Sequence, residues 1–246
     1  MKSDGTILAS EIASQMEVHA AHGGVVPEIA ARAHLDAIDS VIGGAMEKAG
    51  VTMGDLDGVA ATGGPGLIGG VVVGTVAAKA IATARGIPYY AVHHLEGHAL
   101  SPRLVDKVGF PYLLLLVSGG HTQLLAVHAP GIYERYGTTM DDAAGEAFDK
   151  SAKIMGLGYP GGPAIERIAA NGTAGLVQLP RPLRGADHCH FTFSGLKTAV
   201  ATRLAAIEPG NGEAGIADLA AALQAAIADC LADRARLAMA RFADAH

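Results

Sequence analysis

The chain has 246 residues, half of them hydrophobic, and a formal net charge of −6. That is enough apolar material for one large domain or two smaller ones. The acidic balance argues against a broadly basic nucleic-acid surface, while leaving room for a local basic patch or for a partner that supplies one. Two cysteines, Cys189 and Cys230, cannot build a disulfide framework, which points to a reducing cytosol. No apolar run is expected to reach the roughly 18 residues of a membrane span, and Met1-Lys2-Ser3-Asp4-Gly5 lacks the apolar stretch of a signal peptide. With 33 glycines and no tryptophan, the composition suits tightly packed α/β layers with several close backbone approaches.

Ser3-Asp4-Gly5-Thr6 is a hairpin-turn signal, and Ile7-Leu8-Ala9-Ser10 is the strand expected to leave it, although only two residues precede the turn. Pro27 suits the first turn of a long helix with Ile29, Ile38, Val41, Ile42, Ala45 and Met46 on its apolar face and Gly50 as its stop. Residues 57–62 read as a strand, followed by the glycine-rich turn 63–70 and an apolar helix, Val71 to Ala84, expected to be buried. Strand, glycine-rich turn and helix N-terminus make a place either for an anion or for tight helix-on-sheet packing. The spacing matches neither a dinucleotide fingerprint nor a Walker loop.

Tyr89-Tyr90-Ala91-Val92 reads as a second strand, running into His93-His94-Leu95-Glu96-Gly97-His98. If the chain turns helical at His94, then His94 and His98 stand one turn apart on one face, where two imidazoles can share a metal ion. The other reading is two partly exposed histidines after a strand. A zincin helix needs a carboxylate directly after its first histidine. Here that position is Leu95, and Glu96 lies about 200° around the helix at 100° per residue.

Residues 112–117 form a near-continuous apolar run, the pattern of a strand buried on both faces. It breaks at Ser118-Gly119-Gly120-His121-Thr122 and resumes at 123–127. The result is a hairpin, either ordinary or offering its tip to phosphate as a backbone nest. Branched side chains at Gly119 or Gly120 would fill that space and resist any φ > 0 geometry. Asp141-Asp142 should cap a helix running to Met155, with Asp149 and Lys150 on a solvated face or in a site. A turn at 159–163 leads into a short helix containing Glu166. Residues 180–190 form a loop, residues 191–198 enter another helix, and an amphipathic helix closes the chain with Ile216, Leu219, Leu223, Ile227 and Leu231 on one face.

Six stretches, in order and covering nearly the whole chain, resemble one family. They are Ala61-Thr62-x-Gly64-Pro65-Gly66-Leu67-Ile68-Gly69-Gly70, His94-x-Glu96-Gly97-His98, Val117-Ser118-Gly119-Gly120-His121-Thr122, Asp141-Asp142-Ala143-x-Gly145-Glu146-Ala147-Phe148-Asp149-Lys150, Tyr159-Pro160-Gly161-Gly162-Pro163 and Phe193-Ser194-Gly195-Leu196-Lys197-Thr198. The chain is similar to the bacterial TsaD (formerly Gcp) family of tRNA threonylcarbamoyladenosine transferases. The resemblance implies an α/β fold of the actin/Hsp70/sugar-kinase type, with two lobes around a nucleotide cleft, here 1–107 and 108–246. It implies transfer of a threonylcarbamoyl group from threonylcarbamoyl-AMP to the N6 amine of the adenosine beside the anticodon, in tRNAs that read codons starting with A.

The same resemblance makes His94 and His98 ligands of one divalent iron or zinc ion. Leu116, Val117, Ser118, Gly119 and Gly120 would line the substrate site, while Asp149, Gly162 and Glu166 would hold the adenosine end. Glu166 stands where the family pattern favours aspartate. No residue is singled out as catalytic. The implied partners are tRNA and TsaB-like and TsaE-like proteins, the implied setting is the cytoplasm, and no membrane is involved. Two other readings stand beside this one: a metal-dependent (glyco)endopeptidase, which Leu95 disfavours, and a non-catalytic scaffold paralogue, which would be expected to lack the histidine pair. The family usually opens with a Gly-Ile-Glu-Thr-Ser-Cys-Asp segment and closes with a Ser-Gly-Gly-Val-x-x-Asn turn and a third, aspartate metal ligand. None of these is present, so a fold lacking both ends, poorly stable and inactive alone, is the expectation.

Overall fold

A computed structural model describes residues 1–16, 19 and 24–245. The chain divides into two compact units, Met1–Lys107 and Val108–His246. In the first, the opening turn forms as expected. Lys2 N–H donates to Thr6 O at 2.9 Å, Gly5 N–H to Lys2 O at 3.0 Å, and Gly5 takes the left-handed φ of 87° that only glycine adopts at no cost. The expected strand at Ile7–Ser10 does not form: residues 7–10 are extended chain that joins neither sheet. Beyond it the chain lies along helix α1 (Pro27–Ala49). The Glu11 carboxylate pairs with Lys48, and Gln15 Nε2 lies 2.9 Å from His34 Nδ1. Pro27 opens α1 and Gly50, at φ 64°, ends it.

Strands β1 (Val59–Gly64) and β2 (Tyr89–His93) pair in parallel, Val59 opposite Tyr89, and helix α2 (Ile68–Arg85) is the crossover that parallel pairing requires. α2 is not the buried helix that its composition suggests. Only Ala78 and Ala82 are buried, whereas Ile68, Val72 and Val76 form an exposed stripe at i, i+4 and i+8. An all-round apolar sequence says nothing about how many sides find a neighbour, and here α1 and the two strands cover only part of it. Helix α3 (His94–Val105) starts directly from β2.

In the second unit, β3 (Tyr112–Val117), β4 (Thr122–Ala129) and β5 (Ile132–Thr138) form an antiparallel meander with Leu114 opposite Leu125. β4 is the buried central strand. β3 falls short of the two-faced burial expected of it, with Leu115 39% and Val117 44% exposed. Helices α4 (Ala144–Ile154), α5 (Gly161–Ala169), α6 (Ser194–Ala205) and α7 (Gly212–Ala245) complete the unit. As its spacing predicts, α7 turns Leu219, Leu223 and Ile227 inward, against a core that includes Ile165, Phe193, Leu196 and Val200. The expected extension of this helix to His246 lies outside the described residues.

The 180–190 loop is fastened to α7. Arg181 Nε meets Asp229 at 3.0 Å, Gly185 N–H donates to Asp233 at 3.1 Å, and the buried Arg234 donates to the carbonyls of Ala186 and His188. A buried guanidinium is tolerated only with its donors engaged in this way. Contrary to the sequence expectation, α2 and α7 are both long and apolar enough to cross a membrane by length and composition. The core helix of a folded unit meets the same criteria, and α7 is one.

Candidate functional site

Two regions carry the residues singled out above, one in each unit. In the first unit, β1 and β2 end at the same edge of their sheet, Gly64 opposite His93. The glycine-rich turn and the histidine helix therefore leave from one side, the edge at which open α/β sheets gather ligands. The turn itself serves packing. A Cβ on Gly69 would stand 2.7 Å from Ala31 Cβ and one on Gly63 would stand 3.0 Å from Ala91 Cβ, so these glycines let α1 and β2 approach.

His94 and His98 share a face as expected, both exposed. Their Nε2 atoms lie 3.2 Å apart, with the rings nearly perpendicular at 77°. Zinc bonds of about 2.0–2.1 Å at a tetrahedral angle require ligand nitrogens about 3.4 Å apart, so the pair fits one shared ion. Among the described residues no group of three or more His, Cys, Asp or Glu completes a metal site. The helix satisfies the His98 carbonyl despite a proline in its last turns. Pro102 cannot donate to the His98 carbonyl, and the Ser101 hydroxyl donates to it instead at 2.9 Å.

In the second unit the β3–β4 hairpin closes through Ser118 N–H to His121 O at 2.8 Å and His121 N–H to Ser118 Oγ at 3.1 Å. Gly119 and Gly120 stand at the tip, exposed, and among the described residues their N–H groups donate to nothing. Neither has a positive φ, and a Cβ on either would meet no atom within 4 Å. Left-handed geometry is thus no reason for glycine here, which corrects that part of the expectation, and packing is no reason either. Of the remaining residues in the run, Leu116 is buried within the sheet and Val117 is exposed beside the tip.

The N-terminus of α4 lies against this tip. Ala144 N–H donates to Thr122 Oγ1 at 2.9 Å, and Gly145 N–H donates to Ser118 O at 3.3 Å. A Cβ on Gly145 would come within 2.7 Å of both Gly119 Cα and Ser118 O. The positive end of the helix dipole therefore adjoins two unused backbone donors, an arrangement suited to an anion. Asp149 is not a freely solvated residue of this helix. Its Oδ1 accepts from Gly161 N–H at 2.8 Å and so caps α5. Lys150 lies between Asp142 at 2.6 Å and Glu146 at 2.8 Å. On α5, Gly162 and the exposed Glu166 share one face at i, i+4, and a Cβ on Gly162 would meet open space.

The expected capping of α4 by Asp141-Asp142 does not occur: the residue before the helix is Ala143, which has no capping side chain, and the Ala144 N–H goes to Thr122 instead. The Asp141 carboxylate turns instead to α6, 52 residues on. It accepts from Phe193 N–H at 2.8 Å, Ser194 N–H at 3.2 Å and Ser194 Oγ at 2.6 Å, and also from Thr192 Oγ1. Burial raises the Asp141 pKa, but the Ser194 and Thr192 hydroxyls and the two backbone donors outweigh it and hold the carboxyl below its ordinary value. The hydrogen bond from Lys150 likewise holds Glu146 below its ordinary value, outweighing the burial that raises it. A depressed folded-state pKa gives stability that is complete above the unfolded value and lost as pH falls through the folded one. The urea midpoint of the chain is therefore expected to drop as pH is lowered below about 4, and Asp141→Asn should flatten that dependence in urea titrations at stepped pH.

Sequence reasoning quoted Thr122 and Gly145 within motifs but gave neither a role. Thr122 is fully buried on β4, a strand buried on both faces at its centre, and a buried hydroxyl needs a partner.

Residues 6–245 match the family described as TsaD, tRNA N6-adenosine threonylcarbamoyltransferase. The chain belongs to the TsaD family. It is 58% identical over 243 residues to the tRNA N6-adenosine threonylcarbamoyltransferase of Rhodospirillum rubrum, a match covering 98% of this chain and 67% of that relative. The enzyme of the same name from Sphingopyxis alaskensis is also 58% identical, over 98% of this chain and 69% of its own length. For the Erythrobacter litoralis enzyme the identity is 59%, over 96% and 68%. This TsaD-family chain thus spans about two thirds of the length of such relatives. The family reading made from six motifs is borne out, and the transferase names of the relatives do not favour the peptidase alternative.

Proposed function

We propose that this chain takes part in t6A modification of tRNA, transferring a threonylcarbamoyl group from threonylcarbamoyl-AMP to N6 of the adenosine beside the anticodon (A37). The observation that carries the site assignment is the pair of exposed glycines, Gly119 and Gly120. They have unused N–H groups, no demand for glycine from φ or packing, and a helix N-terminus at their side. Glycine carries an entropic cost, and the bare backbone there suits close approach of a phosphate.

In this reading Leu116 to Gly120 line the substrate site, and the backbone donors of Gly119 and Gly120 at its tip meet the phosphate of the adenylate. Gly162 leaves room for the adenosine end, and Asp149 and Glu166 stand near it to meet ribose hydroxyls. The amine attacks the carbamoyl carbon, the bond from that carbon to the phosphate oxygen breaks, AMP leaves and the amine gives up a proton. The tip donors favour the leaving AMP because its phosphate gains charge as that bond breaks. His94 and His98 would hold an iron or zinc ion, which when bound supplies Lewis-acid polarisation and anchoring of oxygens. The two-lobed actin-like cleft, TsaB-like and TsaE-like partners and a cytoplasmic setting belong to the same proposal.

The test is a transfer assay with tRNA, threonylcarbamoyl-AMP and the pathway partners, together with ATP titration of Gly120→Val. The variant is expected to fold, since open space surrounds the position, and to bind ATP at least about tenfold more weakly, the branched side chain occupying the phosphate space. Unchanged ATP affinity would remove the hairpin from the site.

A further inference from the structure

The segment joining β5 to α4, residues 139–143, is fastened on two sides. Toward the hairpin, Thr139 N–H donates to Thr122 O at 2.9 Å, and the first residues of α4 reach Thr122 Oγ1 and Ser118 O. Toward α6, Met140 N–H donates to Phe191 O at 2.8 Å, and Asp141 gathers the donors of Thr192, Phe193 and Ser194. The residue before α6, Phe193, has no capping side chain, so the carboxylate of Asp141 is the cap of that helix. One short linker thus ties the start of α6 to the Ser118–Gly120 tip, where Gly145 fits so closely that no Cβ is admitted.

We infer that Asp141 is a positioning residue for the phosphate hairpin. By capping α6 it fixes the linker, and the linker fixes the backbone donors of Gly119 and Gly120. The inference rests on the proposed nucleotide reading of that tip. Asp141 itself touches no reacting atom in this account. A hairpin tip with few contacts of its own holds a binding geometry only if its neighbours are held, and Asp141 supplies four of the bonds that hold them.

Asp141→Ala removes all four acceptances. Asp141→Asn keeps an oxygen for the backbone donors but lacks a second acceptor for the hydroxyls. Ser194→Ala removes one partner from the opposite side. The control is Asp218→Asn, which weakens a different cross-segment bond, Thr173 N–H to Asp218 Oδ1 at 2.7 Å. ATP affinity by calorimetry is expected to fall about tenfold or more in Asp141→Ala, with Asp141→Asn and Ser194→Ala intermediate and Asp218→Asn unchanged. Amide hydrogen exchange at Thr139 and Met140, whose N–H groups are bonded to Thr122 O and Phe191 O, should quicken in the same order.

A folded Asp141→Ala with wild-type ATP affinity overturns the inference. So does an Asp218→Asn that weakens binding equally, since that outcome marks general destabilisation. If Asp141→Ala does not fold, Ser194→Ala decides, because it is expected to weaken ATP binding with its fold intact. Gly120→Val separates the two layers: if it binds ATP normally the nucleotide reading itself fails, and if it loses ATP while Asp141→Ala and Ser194→Ala do not, only the positioning role fails.

Discussion

Gly137→Ala is expected to lower the stability of the second unit by about 3 kcal/mol or more, at the top of the range for overpacking. Gly137 sits on β5, where the backbone of residue 189 passes directly over it. An added Cβ would overlap the Cys189 carbonyl and come within 2.9 Å of Cys189 Cβ. The crossing segment is tied down. Phe191 N–H donates to Thr138 O at 3.1 Å, Met140 N–H donates back to Phe191 O, and the Phe191 and Phe193 side chains are fully buried. Urea unfolding should show a lower midpoint with an unchanged slope. A midpoint equal to wild type would mean that the close approach relaxes freely, against the packing described.

The second large effect belongs to the histidine pair. On the proposed assignment of the pair as metal ligands, His98→Ala, and equally His94→Ala, is expected to weaken zinc or iron binding by more than about 100-fold, since losing an outer partner of a metal ligand already costs 10–100-fold. Transfer activity of the assembled system should fall to background. The fold should survive, because both side chains are exposed and the hydrogen bond from Ser101 holding the His98 carbonyl does not involve its imidazole. Metal content after reconstitution and gel filtration, measured beside the far-UV spectrum, checks both statements. Equal metal in wild type and both variants would place the ion elsewhere.

The parts of the fold legible in the sequence were those decided locally. Pro27 and Gly50 bracket α1, Gly86 stops α2, and the spacing of Leu219, Leu223 and Ile227 gives the inner face of α7. The i, i+4 histidines needed only a helix to meet, and they meet. What stayed hidden depended on partners distant along the chain. Asp141 looks like a cap for the helix that follows it, yet its donors lie 52 residues away. The burial of α2 depended on how many neighbours reach it, which no periodicity records. The strand expected at Ile7 had the right residues and no ladder. The site shows the same division: the glycines of the tip were visible as a motif, but that neither φ nor packing requires them emerged only from the geometry.

The placement of α7 also has a bearing on how the chain is made. The core of the second unit is assembled around residues 212–245, and the sheet and helices that rest on it are all translated earlier. While a ribosome is still adding those residues, the apolar sides of α5 and α6, including Ile165, Leu196 and Val200, have nothing to close against. Such surfaces attract chaperones or other nascent chains until their late-arriving partner emerges. Arrest of synthesis before or within α7 should therefore leave a protease-sensitive, aggregation-prone chain.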